Sequence, residues 1–362
     1  MCARALAAEG LDVVALDKAR GAGGRSSTRR ARTDAGEIRF DHGAQYFTIR
    51  DPAHAPLLDG WIRCGIVAPW KAFIGTLDRG RLGVEGRQRD GSATASTTTA
   101  PTRYVGTPGM SAIVQALQAD LDVRFGCRVE RIVEDVDGWR LTPADTGGDH
   151  DGLDEAFDAV VVTAPPAQAV ALLKEVDPEL ARRTAQAHLD PCWAVMLQFS
   201  DSVRFAGPHA VEGAALESLG GLFVRNSPLS WVANQSSKPG RSAPHGNHDE
   251  HWVLHASPEW SHAHLEHDAT EVGHQLVEAF AEATGHELPP ILHQSTHRWR
   301  YASVATAGTE PFLWSRGGPG ELGGLGGLGG LGVCGDWCVG GRVEGALTSG
   351  RQLAEHLLRT MG

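Results

Sequence analysis

Residues 16–30 read Leu-Asp-Lys-Ala-Arg-Gly-Ala-Gly-Gly-Arg-Ser-Ser-Thr-Arg-Arg, and these side-chain types in this order suit the holding of a sugar and a phosphate. Asp17 stands at the end of the apolar, β-branched run 11–16, where a carboxylate can accept hydrogen bonds from ribose hydroxyls. Gly21, Gly23 and Gly24 then form a turn that lets backbone approach a phosphate closely, and Arg25 supplies a cation beside it. A lone Gly-Gly-Arg is an ordinary basic surface turn. The succession of strand, acid, Gly-Gly-Arg and basic cluster is much rarer than its parts.

Two further stretches carry compatible chemistry. In residues 40–48, Phe-Asp-His-Gly-Ala-Gln-Tyr-Phe-Thr, Gly43 and Ala44 allow backbone to press against a flat ring, and Gln45 and Tyr46 can add polar contacts. Outside that context, Phe40 and Phe47 are core residues around a tight turn. Residues 331–358 join a short strand, a Gly335-Asp336 turn and an amphipathic helix predicted to begin near Val343. The free N–H groups of a first helical turn suit a partial negative charge, Gly340 and Gly341 permit close approach, and Asp336 can accept from sugar hydroxyls.

Residues 297–302 place Arg298, Trp299, Arg300 and Tyr301 in a row. They can line a pocket for a flat or anionic substrate through stacking and ion pairing, or simply alternate across a packed strand. The histidines at 245, 248, 251, 255, 262, 264 and 267 raise the question of a metal. Their segment reads as loop and strand, so solvated surface histidines are expected and no metal is predicted.

The elements that must position these groups follow from periodicity and punctuation. Residues 1–10 read as the last turns of a helix closed by Gly10, and 11–16 as a buried strand. In a dinucleotide-binding βαβ unit a first strand and a G-x-G-x-x-G loop precede such a helix; the chain is expected to begin after them, about 15 residues late. Residues 76–91 alternate like a hairpin, and 92–99 read as a loop. A helix is predicted over 111–121 with Ser111 as its N-cap, then strands over 122–141, the last pair turning at Asp137-Gly138. Residues 157–166 form a buried strand ended by prolines, and 168–187 are helical. Strands over 192–199, 214–224 and 252–255 belong to an antiparallel sheet, 258–284 are helical, and the glycine-leucine tract 323–332 is an expanded surface loop.

Bulk properties narrow the function. A chain of 362 residues is long enough for two domains. Its net charge of −11 lacks the basic footprint of a nucleic-acid binder. No apolar run approaches membrane-spanning length, and no secretory leader pattern opens the chain. Cys2, Cys64, Cys127, Cys192, Cys334 and Cys338 are scattered without a CxxC pair, so neither a disulfide framework nor zinc is indicated, and a reducing cytoplasm is expected.

Together, residues 17–30, 40–48 and 335–350 resemble the FAD-dependent oxidoreductases of the renalase-like branch of the flavin amine oxidase superfamily, with 106–112 and 297–302 as further similar blocks. The resemblance implies an α/β protein: a Rossmann-like FAD/NAD(P)-binding domain from 1–50, 104–166 and 318–362, and a substrate domain on a mostly antiparallel sheet from 51–103 and 167–317. It implies that Asp17 holds the adenosine ribose and that Gly24 and Arg25 lie along the pyrophosphate. Gly43, Ala44, Gln45 and Tyr46 would line the isoalloxazine, and Val129 would meet the adenine through its backbone. Gly335 and Asp336 would contact the ribityl and phosphate region, while Arg342, Val343 and Glu344 present a helix N-terminus to the flavin.

The implied activity is transfer of a hydride from a small reduced substrate to a noncovalent FAD, with reoxidation by oxygen to hydrogen peroxide. The implied substrate is an isomeric dihydronicotinamide, an NAD(P)H-type nucleotide, with Arg298 and Arg300 as cations for it; an amine is the alternative. A truncated, non-catalytic nucleotide-binding fragment is a second alternative, and covalent flavin attachment through Cys338 a third. The expected partners are the small-molecule substrate and oxygen, with neither nucleic acid nor membrane. No motif addresses oligomeric state.

Overall fold

The computed structural model describes residues 1–33, 36–79, 81–84, 101–144, 155–205, 219–241, 249–316 and 329–361. The chain divides into two units. The first comprises Met1–Gly24, Val114–Leu189 and Ser303–Gly362. Its opening helix, Cys2–Ala8, is built from strong helix formers and ends just before Gly10, whose φ of +86° glycine adopts freely. Strand Val14–Asp17 runs parallel to Asp122–Phe125, with Asp17 opposite Phe125. The sequence predicts the first of these strands to be buried. All four of its residues are half-buried, because Asp122–Phe125 is its one partner among the described strands. Val129–Asp135 and Gly138–Pro143 pair antiparallel with Asp135 opposite Gly138, so the turn is Val136-Asp137, one residue before the expected Asp137-Gly138.

A three-stranded sheet follows, with Gly330–Val333 between Ala159–Val162, parallel, and Leu313–Arg316, antiparallel. This corrects the reading of 323–332 as a surface loop: residues 330–332 form a buried central strand, and 323–328 lie outside the described residues. Glycine serves the strand because Trp314 lies across it; a Cβ on Gly330 would stand 2.2 Å from Cζ2 of Trp314. The helix expected over 168–187 is two helices, Pro166–Leu173 and Pro178–Thr184. Asp177 caps the second by accepting the Leu180 N–H at 2.8 Å, and Pro178 has no N–H with which to continue the first. The C-terminal helix Val343–Met361 begins where the sequence places it, and its Leu353, Ala354 and Leu357 pack on Cys2, Leu6 and Cys334.

The second unit comprises Arg25–Ile113 and Asp190–Ala302. Its frame is a seven-stranded sheet in the order Ile291–Thr306, His188–Phe199, Glu250–Ala256, Leu229–Asn234, Leu219–Arg225, Phe73–Asp78, Arg81–Val84. Leu219–Arg225 and Phe73–Asp78 pair parallel within this otherwise largely antiparallel arrangement. Alternation sorts the two faces. Val195, Leu197, Phe199, Trp252 and Leu254 enter a core with Val272, Leu276 and Phe280 of the helix Ala269–Thr284. Met196 and Val253 face the other way, onto Ile38 and Phe40 of the antiparallel pair Thr28–Thr33 and Gly36–Asp41.

Several boundaries differ from expectation. The helical stretch 258–284 is two helices, Pro258–Ala263 and Ala269–Thr284, each capped by the side chain before it, Ser257 and Asp268. The helix predicted over 111–121 is Ser111–Leu117, with Ser111 its first residue rather than its cap. It tightens at its end, where the Gln118 N–H is shared between the Val114 and Gln115 carbonyls at 3.2 and 3.3 Å. Residues 85–91 of the predicted hairpin, the loop 92–99 and residues 214–218 of the predicted strand lie outside the described residues. Among the described residues no helix is long and apolar enough to cross a membrane.

Candidate cofactor-binding site

In the first unit, Asp17 ends its strand with Oδ1 accepting the Ala19 N–H at 2.9 Å and its carbonyl accepting the Cys127 N–H at 3.0 Å. The carboxylate is thereby fixed at the strand end. Val129 opens the next strand two residues beyond Cys127. Gly24 has φ +51°, and a Cβ there would meet nothing within 4 Å, so the turn is open on that side. The Gly335 N–H donates to Ser349 Oγ at 3.0 Å. The Asp336 carbonyl accepts from Val339 and Gly341 at 3.0 and 2.9 Å, which folds the chain back just before the helix. Arg342 is exposed there, Val343 and Glu344 half-buried, and the first-turn N–H groups carry the positive end of a long helix.

In the second unit the turn after strand Gly36–Asp41 is built against the backbone of Arg25. The Ala44 N–H donates to the Arg25 carbonyl at 2.8 Å, and a Cβ on Gly43 would stand 2.0 Å from that same oxygen. Asp41, fully buried, anchors the turn. Its Oδ1 accepts from Thr28 Oγ1 at 2.7 Å and the Met110 N–H at 2.9 Å; its Oδ2 accepts from Lys238 Nζ at 3.0 Å and from Arg241 Nη2. Lys238 Nζ also donates to Gln45 Oε1 at 3.0 Å and Gln235 Oε1 at 3.1 Å. Gln45 Nε2 donates back to the Asp41 carbonyl, and Gln235 Nε2 to Gln45 Oε1 at 2.8 Å. One buried carboxylate therefore serves two cations. Burial lowers Lys238 to about 8, against the raising effect of Asp41, with Arg241 lowering it further; the two cations hold the Asp41 carboxyl below its usual range against its own burial.

Lys238, Arg241, Gln235 and Thr28 are absent from the sequence-based candidates. The only local signal is Lys238-Pro-Gly-Arg241, two cations astride a Pro-Gly turn a few residues after an apolar strand. Tyr46 lies 5.9 Å from the rings of both Trp70 and Trp231, and cations already attend this group: Arg103 is 5.4 Å from the Tyr46 ring and Lys238 5.5 Å from that of Trp70.

The row 298–301 lies on strand Ile291–Thr306 and alternates. Arg298 and Arg300 share Glu266, at 3.0 and 2.6 Å, while Trp299 on the other face donates its indole N–H to the His42 carbonyl at 2.9 Å. Tyr301 is half-buried. The expectation of surface histidines needs correction at two positions. His251 is 4 % exposed, and His255 donates Nε2–H to the His42 carbonyl at 3.1 Å, because strand Glu250–Ala256 is central and turns both toward the Thr28–Asp41 hairpin. His245 and His248 lie outside the described residues. Among the described residues no group of three or more His, Cys, Asp or Glu side chains is placed to hold a metal.

These buried imidazoles set an acid limit. Burial, with neighbouring cationic groups, lowers His42 to about 3 and His255 to about 4. Unfolded imidazoles titrate near 6.5, so as pH falls from about 6.5 toward 4 the unfolded chain binds protons that the folded chain refuses. Stability is expected to decline across that window by about 1.4 kcal/mol per group per pH unit. Urea midpoints at pH of about 7, 6 and 5 test this; a flat profile would contradict it.

Residues 82–358 match the family described as flavin containing amine oxidoreductase, and residues 1–61 match the NAD(P)-binding Rossmann-like domain. The chain belongs to the flavin-containing amine oxidoreductase family. Among solved structures, this family member resembles a putative protoporphyrinogen oxidase from Exiguobacterium sp. 255-15 (TM-score 0.67, 14 % identity, 99 % of this chain and 96 % of that one). It also resembles cyclohexylamine oxidase from Brevibacterium oxydans IH-35A (TM-score 0.65, 13 % identity, 99 % and 96 %). A third likeness is to a putrescine oxidase bound to putrescine (TM-score 0.60, 14 % identity, 99 % and 96 %). At these identities the likeness is one of fold. The flavin-containing amine oxidoreductase is thus an α/β, FAD-dependent oxidoreductase with a Rossmann-like domain.

Proposed function

We propose that the chain oxidises a small reduced substrate with a noncovalently held FAD, passing the electrons to oxygen to give hydrogen peroxide, as the renalase-like resemblance implies. The observation that carries this reading is the turn 41–46, pressed onto the Arg25 carbonyl where only glycine fits at position 43. Such a turn presents bare backbone to a flat ring. Asp17 would hold the ribose, Val129 the adenine edge, Gly24 and Arg25 the pyrophosphate. Gly335 and Asp336 would meet the ribityl chain, Gly43, Ala44, Gln45 and Tyr46 the ring, and Arg342, Val343 and Glu344 would bring the helix N-terminus to its pyrimidine side. FAD, when bound, supplies the electron-accepting chemistry. The chain's residues bind, orient and exclude water, and the helix dipole favours negative charge at its N-terminal end.

Cys338 supports noncovalent binding. Its side chain is buried, and burial pushes the thiol up to about 11, which suppresses the thiolate needed for attachment. Acid precipitation is expected to leave the flavin in the supernatant; flavin retained in the pellet would overturn this. For the substrate we favour a dihydronicotinamide nucleotide. An amine is the second reading, favoured by the putrescine and cyclohexylamine oxidases among the similar folds. Against it, the Tyr46 and Trp70 rings are already attended by Arg103 and Lys238. The scattering of the six cysteines without a CxxC pair accords with a reducing cytoplasm. Anaerobic flavin reduction, followed by absorbance against NADH isomers, NADPH and amines, tests the proposal. A flavin that no such donor bleaches would refute it.

A further inference from the structure

We propose that Arg29, His42, His293 and His297 form a subsite for an oxyanion, a phosphate or carboxylate, carried by the substrate. The proposal rests on the reading of the chain as an oxidoreductase of small reduced substrates and specifies the charge of that substrate. It starts from the parity of strand Ile291–Thr306. Even positions 298 and 300 share the carboxylate of Glu266. Odd positions 293, 297 and 299 face the hairpin formed by Thr28–Thr33 and Gly36–Asp41.

On that hairpin Arg29 pairs with Phe40, so its side chain shares a face with Phe40 and, two residues on, His42. His293 stacks on Phe40 at 6.0 Å, the His297 ring is 4.9 Å from that of His42, and Trp299 is 5.0 Å from it. Arg29 acts on all three imidazoles and holds each toward its neutral form, adding to burial. No ion pair of Arg29 occurs among the described residues. Nδ1 of His42, a residue 6 % exposed, and Nε2 of His293 are buried without a hydrogen-bond partner.

A buried polar atom without a partner in a native fold asks for one from outside the chain. Four groups that are cationic or can become so ask for an anion. The surrounding charges do not supply it. His255 faces His42 and is itself lowered by burial and then by Lys238; Asp249 acts on His251, which His293 opposes, and Asp249 is engaged by Gln198 Nε2 at 3.1 Å. An oxyanion between Arg29 and the rings would accept from the guanidinium and favour protonated imidazoles. The Arg29 guanidinium repels an ammonium group, which favours a nucleotide over an amine as substrate.

The test is titration of the flavin-loaded protein with sulfate and with acetate, followed through the imidazole NMR signals at pH of about 6 and 8. Sulfate keeps its charge over this range, so any pH dependence belongs to the protein. Sulfate is expected to shift the imidazole signals and to bind at least about tenfold more tightly at the lower pH. Arg29→Ala should weaken it by at least about tenfold, Arg29→Lys by less, and Arg300→Ala, on the opposite face, should leave it unchanged. Preference for sulfate over acetate identifies a phosphate-bearing substrate, and equal binding a carboxylate. Arg29→Ala binding sulfate like wild type, or affinity equal at both pH values, would overturn the subsite. Arg29 is exposed, so its replacement does not threaten folding. Flavin absorbance in the same samples separates the two readings. A yellow protein indifferent to sulfate sinks the subsite alone, and a colourless one that binds sulfate through Arg29 sinks the redox reading alone.

Discussion

Replacing Asp41 with asparagine is expected to cost about 3–5 kcal/mol of stability and to strip the protein of flavin. Asparagine preserves the shape and can still accept from Thr28 and Met110, but it presents an amide to Lys238 and Arg241, the two buried cations that Asp41 serves. The two cations respond differently. Lys238 already sits near 8 and can lose its proton, whereas a guanidinium stays charged. Most of the damage therefore falls on Arg241. Combining Asp41→Asn with Arg241→Met should recover more stability than combining it with Lys238→Met. Urea denaturation and the ratio of flavin to protein absorbance read both effects. A single variant within about 1 kcal/mol of wild type would show that the cluster does not hold the turn.

The second large effect is expected at Gly43. An alanine Cβ would stand 2.0 Å from the Arg25 carbonyl oxygen and 2.9 Å from its carbon. Neither atom can swing aside. The oxygen is held by the Ala44 N–H at 2.8 Å, and the Arg25 side chain donates to the Ala302 carbonyl at 3.2 Å. The backbone of the turn must move instead, at a cost of about 1–3 kcal/mol, leaving a folded protein with a displaced cofactor-facing surface. Flavin affinity, measured by fluorescence titration of the apoprotein, should fall at least about tenfold. Gly60→Ala is the matched control. It lies in the helix Ala55–Arg63, its Cβ would meet nothing within 4 Å, and it should raise stability by about 0.5–1 kcal/mol. Equal flavin affinity in both variants would detach Gly43 from the cofactor.

What could be read from the chain alone was whatever is written within about thirty residues. The strand ending at Asp17 and the helix starting at Val343 are local patterns that stand where their residues predict, and the predicted hairpin forms with its turn one residue early, at Val136-Asp137. The anchoring of the turn 41–46 is not local. Lys238 and Arg241 reach Asp41 across separations of 197 and 200 residues, and nothing in periodicity connects them. The glycine-leucine tract failed for a related reason. Its repeat looks too flexible to pack, but the bulk of Trp314, contributed by the neighbouring strand, makes Gly330 the fitting residue. Arg298 and Arg300 looked available in sequence because Glu266 belongs to a distant segment rich in His and Glu.

Strand Ile291–Thr306 has a consequence for how this chain tolerates change. Its two faces carry different ionic arrangements, and their assignment depends only on whether a residue's position is odd or even. Point substitutions alter one face and spare the other. Deleting or inserting a single residue early in the strand would exchange the faces downstream, turning the arginines toward the hairpin and the imidazoles toward Glu266. Length in this segment should therefore be far less negotiable than composition, and related chains that differ here should do so by even numbers of residues.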